Sequence, residues 1–159
     1  MNASEYKPVI VAFVCTYCSY TAADLAGSLR LSYPANVRIV KMMCTGKTDP
    51  IFLMRAFEKG ADAVFVAGCD LGDCHFLEGN IHGKSWVAYT KERLEAIGLE
   101  PERLEFFHVP ASKANDWVAA VNEMTQRAIR LGPNPFNPRC GRLNIMVSAS
   151  EQTKNRETS

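Results

Sequence analysis

The chain has 159 residues, 47% of them hydrophobic and 22% charged, with 18 Lys and Arg balancing 17 Asp and Glu for a net charge of +1. That size suits one domain with an ordinary core, and the mixed, near-neutral charge excludes the basic footprint of a nucleic-acid binder or a membrane-surface segment. The opening MNASEYKPVIVAFVC has no basic start and too short an apolar run for a signal peptide or a spanning helix, so the expected compartment is the cytoplasm.

PVIVAFV (8–14) is a continuous β-branched and aromatic run, the pattern of a strand buried on both faces. VCTYC follows it, and then Ser19 or Thr21 is expected to cap a helix through AADLAGSLRL that stops before Tyr33 and Pro34. VRIVKMM (37–43) reads as a second buried strand leading into Cys44. Asp49 and Pro50 form a helix start with proline in the first position, and IFLMRAFEK ends at Gly60, a C-terminal cap.

AVFVAG (63–68) is the third strand, followed by Cys69 and Cys74 in GCDLGDC. A longer helix is expected from about Asn80 through GKSWVAYTKERLEAI to Gly98, and LEFFHV (104–109) is the fourth strand. Ser112 is expected to cap a last helix, KANDWVAAVNEMTQRAIRL, with Trp117, Val121, Met124 and Ile129 on or near its apolar face and Gly132 at its end. Strands alternating with helices predict an α/β fold: a flavodoxin-like, four-stranded parallel sheet with flanking helices. GPNPFNP (132–138) cannot continue a helix. Residues 1–136 are therefore expected to form the domain, and 137–159 a mobile tail.

Five of the six cysteines each follow one of the first three strands: Cys15 and Cys18, Cys44, then Cys69 and Cys74. A parallel sheet gathers the carboxyl ends of its strands along one edge, where ligands bind. The thiols are therefore expected to meet there, and in a reducing compartment they read as metal ligands or redox-active thiols rather than disulfides. Four or five thiolates make a soft metal site, an iron–sulfur cluster or zinc. C-x-x-C lets one turn aim two sulfurs at one metal, and a helix N-terminus favours thiolate.

CTYC alone fits a thioredoxin-like dithiol equally well; Cys44, Cys69 and Cys74 argue against it, since a dithiol enzyme needs two sulfurs. Gly46, Gly68 and Gly72 allow the tight backbone that convergence requires. Cys140 has no strand behind it and reads as a non-ligand. His75 reads as a surface residue beside the site, His82 lies near the third helix start, and His108 is expected as a satisfied core group. Asp70 and Asp73 read as turn formers. Tyr17, Tyr20 and Phe76 fit either a shield over the site or core packing.

No G-x-G-x-x-G, phosphate loop, H-E-x-x-H or G-x-S-x-G is present. No catalytic residue is assigned, and the chain reads as an electron-carrying subunit rather than a whole enzyme. A dithiol oxidoreductase or a zinc-binding assembly module are the competing readings.

VCTYCSYTAADLAG, YPANVRIVKMMCTGKTDP and GADAVFVAGCDLGDCHFLEGN, with GPNPF, resemble the iron–sulfur (delta) subunit of methyl-viologen-reducing hydrogenases over residues 7–136. The resemblance implies a 2Fe–2S cluster that passes electrons from a nickel–iron hydrogenase to the flavin subunit of heterodisulfide reductase. Related copies connect formate dehydrogenase to the same acceptor, and some are fused to it. Cys15, Cys18, Cys44, Cys69 and Cys74 match the family's cysteine positions. Tyr17 stands where family members usually carry tryptophan, and Asp70 and Leu71 where they carry a His-Ile pair; these departures bear on partner identity rather than on cluster binding. Four thiolates complete a 2Fe–2S cluster. Cys15, Cys44 and Cys69, each behind a strand, are expected to ligate, with Cys74 ahead of Cys18 as the fourth.

Overall fold

A computed structural model describes residues 6–137. The apolar runs form four strands, β1 (Ile10–Cys15), β2 (Val37–Met42), β3 (Ala63–Gly68) and β4 (Leu104–His108), all parallel and in the order β2-β1-β3-β4. Ile10 is level with Val37 on one side and Ala63 on the other, and Val64 with Leu104, so the strands end together along one carboxyl edge. The helices between and after them are α1 (Ser19–Ser28), α2 (Pro50–Glu58), α3 (Gly79–Ala96) and α4 (Ala114–Leu131). The expected four-stranded parallel α/β architecture is what the chain adopts.

Alternating positions on the strands feed two cores. Ile10, Ala12, Val14 and Phe65 pack with α1 and α4 around Trp117 and Met124. Phe13, Val64, Val66 and Phe106 pack on the other face with Leu53 and Phe57 of α2 and Leu94 of α3. Central β3 is covered on both faces and buried at all six positions, as its unbroken apolar run requires.

β2 departs from expectation. Expected to be buried, it is an edge strand with four exposed positions, Arg38 to Lys41. Among the described residues only β1 pairs with it. Arg38 and Lys41 blunt an edge that could otherwise recruit a foreign strand, and Lys41 lies 4.1 Å from the centre of the Tyr20 ring.

Asp49 caps α2 as expected, its Oδ1 accepting from the Ile51 N–H at 2.8 Å, with Pro50 first in the helix and Gly60 just beyond it at φ +100°. Gly132 ends α4 as expected, but the expected side-chain caps of α1 and α4 fail. α1 starts after Cys18 with no side-chain cap, and Ser19 instead donates to the Val109 carbonyl at 3.1 Å. Thr21 donates back to the Thr16 carbonyl. That helix ends at Ser28, before Arg30 turns to φ +55°. α4 begins at Ala114, behind Lys113 and without a cap from Ser112. α3 starts one residue early, at Gly79, and ends before Gly98 at φ +82°.

At the amino edge of the sheet a buried polar network pins GPNPF to the strands. Asp62 accepts from the Val9 N–H (2.8 Å) and the Asn134 N–H (2.9 Å). Asn134 donates through Nδ2 to the carbonyls of Phe57 and Ala61. Arg103, 1% exposed, donates to the carbonyls of Asp62, Leu131 and Gly132 and to the Glu100 carboxylate. The expected tail beyond 137, with Cys140, lies outside the described residues. Among the described residues no helix is long and apolar enough to cross a membrane.

Candidate metal centre

Each cysteine is set by where its strand ends. Cys15 is the last residue of β1, Cys18 stands at the start of α1, and Cys69 directly follows β3. Cys44 opens the single 3₁₀ turn Thr45–Lys47 after β2, and Cys74 lies within the loop between β3 and α3. All five are buried and form one group at the carboxyl edge, with Ala111 packed against it. The convergence expected from the sequence is therefore present.

The group has internal structure. The sulfurs of Cys15, Cys18 and Cys69 all lie within 4.8 Å of one another, with Cys18 2.8 Å and Cys15 3.9 Å from Cys69. Cys44 and Cys74 flank Gly79. A Cβ on that glycine would stand 2.1 Å from the Cys44 sulfur and 3.2 Å from that of Cys74, so both sulfurs can lie against the start of α3 because residue 79 has no side chain. Farther along α3, a Cβ on Gly83 would meet Thr45 at 2.8 Å, which lets the helix start lie directly on the 3₁₀ turn. Strand spacing alone favours Cys44 and Cys74 over Cys18; the tightest grouping instead contains Cys18.

Electrostatics follow from crowding thiols out of water. A hydrogen bond from Cys18 holds Cys15 down at about 6, helped by the N–H groups of Tyr17 and Cys18 and by Cys69, against the opposing effect of burial. The same bond to Cys15, with burial and Cys69, drives Cys18 far upward. The pair thus shares a proton, the first ionising readily and the second resisting. Burial pushes Cys69 up to about 11 and also raises Cys44, although the Gly46 N–H points at its sulfur from 3.4 Å. For Cys74 burial is outweighed by the N–H groups of Phe76, Asn80 and Gly79, which hold it below the usual thiol range. Adjacent thiolates in a dry site cannot all ionise unless a cation shares the charge.

The donor set is purely thiol. His75 stacks on Tyr17 with ring centres 4.2 Å apart, and exposed His82 faces Glu78. His108 makes a 2.9 Å hydrogen bond through Nδ1 to the Cys69 carbonyl, the satisfied group expected of it. Asp70 and Asp73 form the expected turn, the Asp73 N–H donating to the Asp70 carbonyl. A buried group of five soft donors without nitrogen or oxygen fits an iron–sulfur cluster or zinc.

Tyr17 and Phe76 meet edge to face at 5.7 Å beside the site, half exposed. Tyr20 belongs instead to the α1 side of the core. Met43, Leu71 and Leu77 are also exposed, each within three residues of a cysteine in the chain. A cleft of about 570 Å³ lined by Met43, Cys44, Phe76, Leu77 and Gly79 opens beside Cys44.

Two residues of the site escape sequence reasoning. Gly79 does so because its need for a missing Cβ arises from residues five and thirty-five positions away. Asn80 reads from sequence only as a helix start. It is fully buried, and its Nδ2 donates to the carbonyls of Cys69 (3.2 Å) and Asp70 (2.6 Å). The signal for it is slight: asparagine directly before a helix face and six residues after a cysteine.

The family described as "Methyl-viologen-reducing hydrogenase, delta subunit" matches residues 10–132. The vhu iron–sulfur subunit of the F420-non-reducing hydrogenase of Methanocaldococcus jannaschii is 48% identical over 129 residues, 81% of this chain and 96% of that protein. Its counterpart in Methanococcus maripaludis is 49% identical over 130 residues, 82% of this chain and 97% of its own. A subunit of the ferredoxin/F(420)H(2)-dependent CoB-CoM heterodisulfide reductase of Methanosarcina acetivorans is 38% identical over 135 residues, 84% of this chain but 17% of that longer protein.

Proposed function

The chain belongs to the methyl-viologen-reducing hydrogenase delta-subunit family, and from that premise we propose that it is an electron-transfer subunit carrying a 2Fe–2S cluster. In this reading it takes electrons from a nickel–iron hydrogenase or a formate dehydrogenase module. It delivers them to the flavin subunit of a heterodisulfide-reductase-type complex in the cytoplasm. The observation that carries the reading is the single buried group of five thiols drawn from three loops, with no other donor type among them.

Cys15, Cys18 and Cys69 supply three ligands and one of Cys44 and Cys74 the fourth, which leaves one thiol of that pair dispensable. When bound, a 2Fe–2S cluster supplies reversible one-electron chemistry. The chain's own groups do the rest. The N–H of Gly46 faces the Cys44 sulfur, and those of Phe76, Gly79 and Asn80 face Cys74. Such donors stabilise charge on sulfur and raise a potential. Tyr17 and Phe76 limit water on the outer side.

The partner reading draws support from two sources. One relative carries the matching stretch within a much longer polypeptide named as part of a heterodisulfide reductase. The others are named as hydrogenase subunits. A dithiol enzyme, by contrast, must present a sulfur to its substrate, and Cys15 is 1% and Cys18 6% exposed.

Two measurements test this. Protein purified without oxygen should hold about two irons and two acid-labile sulfides per chain; one zinc and no sulfide would sink the reading. Pull-down from the native host should recover a flavoprotein of the heterodisulfide-reductase type, and recovery of a free monomer alone would remove the partner.

A further inference from the structure

Asn80 occupies a place in the cysteine group that no electron-carrying role yet assigns. A buried carboxamide must satisfy both its N–H bonds or forfeit its hydration, and this one spends them on the consecutive carbonyls of Cys69 and Asp70, at 3.2 and 2.6 Å. Its Oδ1 accepts from the Ile81 N–H at 2.9 Å, in the first turn of its own helix. The residue therefore joins the end of β3 to the start of α3. His108 of β4 holds the same Cys69 carbonyl at 2.9 Å, so that peptide is gripped from a helix and from a strand.

The start of α3 has a second contact. Gly79, next to Asn80, lies against the sulfurs of Cys44 and Cys74. One helix turn thus touches the Cys44/Cys74 pair through its backbone and the Cys15/Cys18/Cys69 group through the Asn80 side chain. The loop between Cys69 and Cys74 is short of other restraints: it contains Gly72 at φ +87° and exposed Leu71, and its internal tie is the bond from the Asp73 N–H to the Asp70 carbonyl.

We propose that Asn80 is a positioning residue for the cluster, setting the spacing between the Cys15/Cys18/Cys69 group and the Cys44/Cys74 pair. The inference rests on the cluster-carrying function proposed above. It predicts that loss of the Nδ2 donors lets Cys69 and the α3 start move independently, so that four thiolates no longer meet the cluster at fixed distances.

Asn134 makes a matched control. It is equally buried and also gives Nδ2 to two carbonyls, of Phe57 and Ala61, at the opposite edge of the sheet. The experiment compares wild type, Asn80→Asp, Asn80→Ala and Asn134→Asp as anaerobically purified holoprotein. Asp keeps the shape and removes the donors; Ala removes them without adding charge. The readouts are iron lost to a chelator, the electron paramagnetic resonance of the reduced cluster, and thermal melting.

Both Asn80 variants should release iron roughly tenfold or more faster than wild type, as loss of a ligand-orienting bond does at metal sites, and should show a shifted or broadened resonance. Asn134→Asp should melt earlier with a native resonance. Native resonance and iron retention in both Asn80 variants overturn the proposal, whether or not they melt early. Failure of both to fold also overturns it, since Asn80 would then serve the fold alone. Wild type that holds no iron defeats the electron-carrier reading itself, and this inference with it.

Discussion

The two edges of the sheet are built from opposite kinds of polar chemistry. At the amino edge, Asp62, Arg103 and Asn134 are almost wholly buried, and each meets partners of matching kind: amides to a carboxylate, guanidinium and carboxamide donors to carbonyls. At the carboxyl edge five thiols are as deeply buried, but their chief partners are one another and a few backbone N–H groups. The first edge is complete when the chain folds. In the second, thiols bond to thiols, and the hydrogen bond between Cys15 and Cys18 lowers the pKa of the first and raises that of the second. The buried polar network and the candidate metal centre thus lie at separate ends of the same strands.

The strongest way to sharpen that contrast is to remove thiols. Cys15→Ser, Cys18→Ser and Cys69→Ser should each abolish bound iron and the resonance of the reduced cluster, whereas one of Cys44→Ser and Cys74→Ser should retain both. A cluster kept in full by Cys18→Ser would restore Cys74 as the fourth ligand and break the geometric grouping.

Gly79→Ala should come next. The new methyl would occupy the position 2.1 Å from the Cys44 sulfur, so most of the cluster should be lost, as iron analysis would reveal. The helix itself should not suffer, because alanine favours helix over glycine by about 1 kcal/mol. Unchanged iron content would mean that the cysteine loops yield freely.

The amino edge should respond the other way. Asn134→Ala leaves the Ala61 carbonyl without its Nδ2 donor and the Phe57 carbonyl with the Gly60 N–H alone, and should cost roughly 2–3 kcal/mol, measured as an earlier denaturant midpoint. Iron per folded chain should stay at the wild-type value. Joint loss of stability and cluster would show that the two edges are coupled.

The smallest effect lies on the flank. Glu105 of β4 takes Lys91 of α3 and Arg127 of α4 at 2.9 Å each. Burial alone would raise its pKa, but these two cations outweigh burial and lower it. A carboxylate lowered in the fold contributes fully above its unfolded pKa of about 4.3, and that contribution fades as pH falls through the folded value. Glu105→Gln should therefore cost about 1 kcal/mol at neutral pH, and the deficit should shrink in acid. A pH-independent deficit would assign the effect to packing.

Much of this molecule is legible one segment at a time. The runs 8–14, 63–68 and 104–109 are strands because β-branched and aromatic residues suit a pleated, covered surface, and Asp49 with Pro50 starts a helix because both act within one turn. The placement of five thiols at one edge follows from parallel connectivity alone. The run 37–43 reads wrongly as buried because burial of a strand depends on its neighbours in the sheet, and β2 has one. Ser19 and Ser112 read wrongly as caps because the orientation of a hydroxyl is decided by what the rest of the chain offers it, in one case the Val109 carbonyl ninety residues on.

By itself the sequence determined the strand-and-helix alternation, the edge that carries the chemistry and the thiol character of the site, since each depends on residue type and local spacing. Only the tertiary structure decided which sulfurs group most tightly, why residue 79 has to lack a side chain and what Asn80 holds. Those are contacts between segments distant in the chain. Their distances are set by how α3 packs on the 3₁₀ turn after β2 and against β3, a quantity that no local pattern encodes.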